Sequence, residues 1–316
     1  MFIDTHIDTL WAMRKENRVF SDKSDQGHVD LSRAQSSGLL CGFFTGFPTE
    51  SQFITEQMLA EWIKMTGEPK NQMTRINNIA DLNRLITERQ AETDISRHQI
   101  GTLLHFEGAA GIDSSLHRLY IYYDVGLRSM GLTWNETNQF ATGQKGDKNR
   151  GLTSEGKDLL SAMENLGIMV DISHLNDKSF WEVVDHTTGP IFASHSNVRK
   201  HAQHNRNLLD DMVVAVADSD GSIGINLYTS FLETDGNQAS IKSAIKMFEE
   251  VISLTGVNHV HSGADLDGAT LPNDMKDIND IPRLLELVKE DLSLTTNDLE
   301  KIKTENVIRV MKKSWK

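Results

Sequence analysis

The chain has 316 residues, with 32 basic and 45 acidic side chains giving a net charge of −13, and no basic run longer than Lys312-Lys313. That balance excludes the positive footprint that nucleic acid or an anionic membrane surface requires. A hydrophobic content of 38% with only five prolines excludes a disordered linker, and no apolar stretch approaches the ~18 residues of a spanning helix. Cys41, the single cysteine, can form no internal disulfide, and Met1-Phe2-Ile3-Asp4-Thr5-His6 has no charged-then-apolar leader pattern. The expectation is a soluble cytoplasmic protein.

Eight short apolar runs read as buried strands, at residues 1–5, 39–47, 101–106, 129–134, 167–173, 190–194, 222–228 and 259–264. Between them lie helix patterns with start and stop signals. Thr153 precedes an apolar face of Leu159, Leu160, Met163 and Leu166 that Gly167 terminates, and Asn176 caps the next helix. Residues 239–254 carry a stripe of Ile241, Ala244, Ile245, Phe248, Val251 and Ile252, and Thr295 with Asp298 caps a last helix to residue 313. Strands alternating with helices must pair in parallel, because parallel neighbours need a crossover. Eight such units predict an α/β protein of the (β/α)8 barrel type, one domain over residues 1–316. The stretch 47–101 is long enough to hold extra helices on the second unit.

In such a barrel the C-terminal strand ends build the active site. Here they carry metal-type ligands: His6-Ile7-Asp8 after the first strand, Glu107 after the third, His174 after the fifth, His195 after the sixth and Asp265 after the eighth. A histidine at one strand end is ordinarily a hydrogen-bonded turn residue. A carboxylate as deeply set as Glu107, within Leu103-Leu104-His105-Phe106-Glu107-Gly108, needs a cation to offset its burial. Imidazole and carboxylate without thiolate suit zinc, with manganese, iron and cobalt also open. Three histidines, Asp8 and Glu107 exceed one open zinc site, and two metals bridged by Glu107 use them all. Asp265 is then left as a proton carrier.

In that order the motifs resemble the membrane (renal) dipeptidase family over nearly the whole chain. The resemblance rests on His6-Ile7-Asp8, Gly27-His28-Val29-Asp30-Leu31-Ser32-Arg33, Phe106-Glu107-Gly108, Gly151-Leu152-Thr153, Asp171-Ile172-Ser173-His174, Ser194-His195-Ser196, His204-Asn205-Arg206-Asn207, Gly263-Ala264-Asp265-Leu266-Asp267-Gly268 and Glu305-Asn306-Val307-Ile308-Arg309. It implies a binuclear zinc dipeptidase that cleaves small peptides with a hydroxide bridging the metals. Family members often accept a D-residue at the second position. By that analogy His6 and Asp8 hold one zinc, His174 and His195 the other, Glu107 bridges them, Asp265 is the acid/base and Arg206 clamps the terminal carboxylate. Some members form homodimers, and the sequence leaves that state open.

The chain departs from the family at Leu132-Thr133-Trp134, where a histidine associated with the substrate carbonyl is usual, while Asn138 is retained. Trp134 and Asn138 are therefore expected beside the substrate, an indole N–H being a donor that cannot accept. His261 stands where the family has glycine and reads as a packed, hydrogen-bonded core residue, with tuning of Asp265 on the same strand face as the other reading. Two other readings stay open: a metal-dependent amidohydrolase acting on a cyclic amide, lactone or phosphoester, and a catalytically impaired metal-binding barrel.

Overall fold

The computed structural model describes residues 1–315. Apolar runs too short for helices form nine strands: β1 (Phe2–Ile7), β2 (Leu39–Gly46), β3 (Met73–Arg75), β4 (Ile100–Glu107), β5 (Leu127–Gly131), β6 (Met169–Asp171), β7 (Ile191–Ala193), β8 (Ser222–Ile225) and β9 (Val260–Ser262). Every pairing is parallel, β1 joins β9, and β2 joins β4 from Cys41↔Gly101 to Gly46↔Phe106. The ring therefore closes on eight strands, a (β/α)8 barrel. The ninth, β3, pairs only with the start of β4, ahead of the point where β5 takes over that edge.

The eight expected strands are all present, most of them shorter than the apolar runs; His6 and Glu107 are among the last residues of β1 and β4, and Asp8, His174, His195 and Asp265 fall just beyond their strands. The long second unit carries two helices in place of a single crossover helix, Gln52–Gly67 and Ile79–Ala91, with β3 between them. Start signals act as read. Thr153 accepts from the Gly156 N–H, Asn176 from Ser179, and Thr295 with Asp298 forms a reciprocal capping box. Gly167 ends its helix with φ 79°, the left-handed conformation for which glycine has no steric penalty. The C-terminal helical run is interrupted by a π-helical turn at Lys301–Glu305 before Asn306–Ser314.

Two apolar layers hold this together. The larger lies between the barrel and its helices. The smaller fills the barrel itself with Ile3, Cys41, Phe43, Leu103, Met169 and Phe192, and Val307, Val310 and Met311 of the last helix close it. Phe43 of β2 meets Phe192 of β7 across the ring, with centroids 6.2 Å apart. With that end sealed by hydrocarbon, the polar chemistry collects at the C-terminal rim. His261 sits between the two regions. Its Nε2 is 3.0 Å from Thr5 Oγ1 and its Nδ1 is 2.7 Å from Ser222 Oγ, so it is a hydrogen-bonded core residue, as expected. Among the described residues no helix is long and apolar enough to cross a membrane.

Candidate metal centre

Glu107 at the end of β4 is the hub of the rim. Its Oε1 lies 2.8 Å from His174 Nε2, 3.3 Å from His195 Nε2 and 3.5 Å from His6 Nε2. His6 Nε2 is also 3.5 Å from Asp8 Oδ2, and the two nitrogens of His174 and His195 are 3.0 Å apart. His6, Asp8 and Asp265 form a second group with ligand atoms within 4.8 Å of one another. All five expected ligands and the expected proton carrier thus meet at one point. The backbone is bent to achieve this: His174 and Asp265 hold φ of 70° and 58°, a left-handed conformation that costs non-glycine residues about 1–3 kcal/mol. Gly268 is required for a different reason, since a Cβ there would collide with the carboxylates of both Asp8 and Asp265.

Hydrogen bonds behind the ligands set which ring nitrogen faces inward. Ser194 Oγ donates its one proton to Asp171 Oδ2 at 2.6 Å, so it accepts from His195 Nδ1 at 2.7 Å and, more weakly, from His6 Nδ1 at 3.4 Å. His174 Nδ1 donates to Asn135 Oδ1 at 2.9 Å. With the protons held at Nδ1, the Nε2 lone pairs of all three rings point at Glu107. His6 Nε2 and Asp8 Oδ1 are buried with no hydrogen-bond partner. Three imidazole lone pairs converging on a buried carboxyl fit divalent cations, and the donor set fits zinc. Ser194→Ala removes the acceptor that fixes two of these rings and is expected to weaken metal affinity about 10–100-fold. Competition with a chromophoric chelator measures this, and unchanged affinity would show the serine to be a bystander.

Burial dominates the electrostatics. It pushes the His6 imidazolium down to about 4 and those of His174 and His195 well below their ordinary value, so all three rings are neutral at physiological pH. The same burial, with Asp8's charge adding for the latter two, raises Asp8 to about 7, Glu107 well above the carboxylate range and Asp265 to about 7. Metal binding must therefore displace protons from carboxyls rather than from imidazoles. Calorimetry in buffers of different ionisation enthalpy is expected to show proton release at pH 6 that declines as pH rises past about 7. Release that is absent at pH 6 would contradict this.

Above the cluster opens a cleft of about 470 Å³ whose lining includes Trp11, Phe47, Trp134, Lys145, Arg206 and Tyr228. Arg206 is 3% exposed and donates to Ser196 Oγ at 3.1 Å and to the His195 carbonyl at 2.8 Å. Its Nε has no partner, and it forms no ion pair among the described residues. Trp134 is on the cleft wall, its ring 5.2 Å from Phe47 and 6.4 Å from His174. Asn138 is not brought to the cleft floor. Its amide is spent inside its own loop, donating to the Leu132 carbonyl and accepting from the Phe140 and Ala141 N–H groups. Asn135, three residues earlier, is the asparagine that touches His174.

Several contributors carried no local signal. Asn226 donates to Asp265 Oδ2 at 3.0 Å, and Gln144 donates to Asn135 Oδ1 at 2.9 Å. The block at residues 27–33 acts at a distance. His28 N–H donates to Asp267 while His28 Nδ1 accepts from the Asp267 N–H at 2.9 Å, and Arg18 and Thr9 bind the same carboxylate. That clamp pins the loop that carries Asp265.

Comparisons with known proteins agree with this geometry. The sequence model described as membrane dipeptidase, peptidase family M19, matches residues 1–315. An uncharacterized dipeptidase of Schizosaccharomyces pombe is 28% identical over 330 residues, covering 98% of this chain and 80% of that one. Among solved structures, the dipeptidase AC, a metallo peptidase of family M19, superposes with a TM-score of 0.89 at 25% identity, covering 99% of this chain and 98% of that one. A metallo peptidase from Rhodobacter sphaeroides, liganded with a phosphinate mimic of the dipeptide L-Ala-D-Ala, also gives 0.89, at 24% identity and 99% coverage of each chain.

Proposed function

The chain belongs to the membrane dipeptidase family, peptidase family M19, and from that premise we propose that it is a zinc-dependent dipeptidase for substrates with a free C-terminal carboxylate. The observation that carries the reading is Arg206. A guanidinium buried without a carboxylate is costly, and it is tolerated where the missing anion arrives with the substrate. It stands beside His195 on the same loop, through whose carbonyl it is held, so a carboxylate bound there has its peptide bond within reach of the metal ligands. The planar fork suits a carboxylate bidentately.

His6 with Asp8 and His174 with His195, joined by Glu107, would hold two zinc ions, which when bound supply polarisation of the scissile carbonyl and an activated water. Asp265 moves the proton. One of its oxygens accepts from Asn226, the other faces Asp8, and a carboxyl titrating near neutrality can both take a proton and return it to the departing amine. The Trp134 indole offers at most one donor to the carbonyl oxygen and otherwise walls the cleft with Phe47. The Rhodobacter sphaeroides metallo peptidase is liganded with a mimic of L-Ala-D-Ala, and dipeptides with a D-residue at the second position belong in the substrate range we propose.

The test is turnover of a dipeptide panel, with L- and D- second residues, by zinc-loaded protein beside a chelated control. Cleavage that needs zinc and is confined to free-carboxylate dipeptides is the expected result. No cleavage by protein confirmed to hold two metals would overturn the reading.

A further inference from the structure

The cleft contains a second cation for which the reading above has no use. Lys145 lines it, with its ammonium 5.7 Å from the centroid of the Trp134 ring. Its position is fixed through the backbone. Lys145 N–H donates to the Asn135 carbonyl at 2.8 Å, Gln144 N–H to the His174 carbonyl at 2.8 Å and Gly143 N–H to the Glu136 carbonyl at 3.1 Å. Gln144 and His174 converge on the same Asn135 Oδ1. The loop that presents Lys145 is thus stitched to a metal ligand and to the segment bearing Trp134.

Lys148 and Arg150 on the same loop are exposed and do not line the cleft, whereas Lys178 reaches Glu182 and Arg199 is bidentate on Asp177. Lys145 is in no ion pair among the described residues. The nearest acid along its own loop, Asp147, accepts from the Asn149 N–H instead. Inside the cleft the carboxylates are Asp8, Glu107 and Asp265, all committed to the metal centre or to proton transfer. A dipeptide brings one obligatory anion, its α-carboxylate, and Arg206 accounts for it. Lys145, an exposed residue of the cleft lining, has no carboxylate partner there and is free to meet one carried by the substrate.

We propose that Lys145 is a specificity-determining residue that binds a side-chain carboxylate, making acidic dipeptides, those carrying Asp or Glu, the preferred substrate class. The inference rests on the dipeptidase reading and deepens it. An ammonium against a carboxylate beside an aromatic wall is a charge-assisted contact that a neutral amide of the same shape cannot reproduce.

The experiment compares kcat/KM for isosteric pairs, Glu against Gln and Asp against Asn, placed in turn at each position of a dipeptide with alanine. The loaded wild-type enzyme is expected to favour the acid over the amide by about tenfold or more in at least one position. In Lys145→Met that ratio should fall to about one, Lys145→Arg should retain it, and Lys145→Glu should shift preference towards Lys or Arg side chains. Inhibition by free glutamate against glutamine should follow the same pattern, which separates binding from turnover. A wild-type ratio near one overturns the inference, as does a preference that Lys145→Met leaves intact. An equal loss on acid and amide in that variant would instead place Lys145 on the α-carboxylate and also overturn it. Turnover of the amide partners shows the dipeptidase reading to be sound in any of these cases, whereas no turnover of any dipeptide overturns both.

Discussion

Asp265→Asn is expected to lower kcat by about 10²–10⁴-fold while leaving two metal ions bound. The substitution isolates proton transfer because little else changes. Asparagine is among the residues that tolerate the φ of 58° held at this position, and its side-chain oxygen can still accept from Asn226. If Asp265 is a metal ligand instead, metal content measured by mass spectrometry falls together with rate, and the acid/base role is lost. Stability supplies an independent check in the metal-free protein. Burial and Asp8 raise the Asp265 carboxyl from 3.8 to about 7, so the folded state holds its proton where the unfolded chain has released it. That contribution is fully present below pH 4 and is lost as pH rises through about 7. The asparagine variant has no such loss, so its melting temperature should exceed that of the wild type at pH 8 and converge with it towards pH 4. A difference independent of pH would mean that Asp265 is not the strained carboxyl.

What the sequence made legible and what it hid have different physical origins. A strand inside a barrel is buried on both faces, so β2, β4 and β8 appear as mostly apolar runs, whereas β1 carries buried Asp4, Thr5 and His6 among its apolar residues. Glu107 could be identified for that reason alone: a carboxylate has no business closing Leu103-Leu104-His105-Phe106 unless something cationic meets it. β3 was invisible because three half-buried residues, Met73-Thr74-Arg75, leave no periodicity. Within the site, His-x-Asp at period two could be read directly, whereas contacts between strands needed register. The Ser194–Asp171 bond joins β6 to the end of β7, and only their side-by-side pairing brings serine, aspartate and two histidine rings together. Asn138 shows the opposite error. Its identity matched a family position, but its loop turns so that the amide caps its own backbone while Asn135 reaches His174. His28 was legible as part of a motif and not as a purpose, since its partner Asp267 lies 239 residues away.

Arg206→Met should lower kcat/KM on free-carboxylate dipeptides by about 10²–10³-fold, the range set by roughly 3–4 kcal/mol for removing one member of a buried charge pair. The wild-type protein bears the cost of that unpaired guanidinium in the free state, with burial lowering its pKa to about 10 in spite of the pull of Glu107 and Asp171. It remains a cation throughout the neutral range, so the substrate finds the charge already positioned between Ser196 Oγ and the His195 carbonyl and little reorganisation is needed. Methionine keeps much of the packing beside Phe231, whose ring centroid is 5.6 Å from the guanidinium carbon, and removes the uncompensated charge. The variant should therefore melt no lower than the wild type, a result opposite in sign to that for a structural arginine. Substrate discrimination gives the sharper readout. The wild type should prefer a dipeptide over its C-terminal amide by a wide margin, and Arg206→Met should erase that preference because it treats both ends as neutral. If the variant still selects the free carboxylate, another group reads that end of the substrate, and a terminal-carboxylate clamp at Arg206 is excluded.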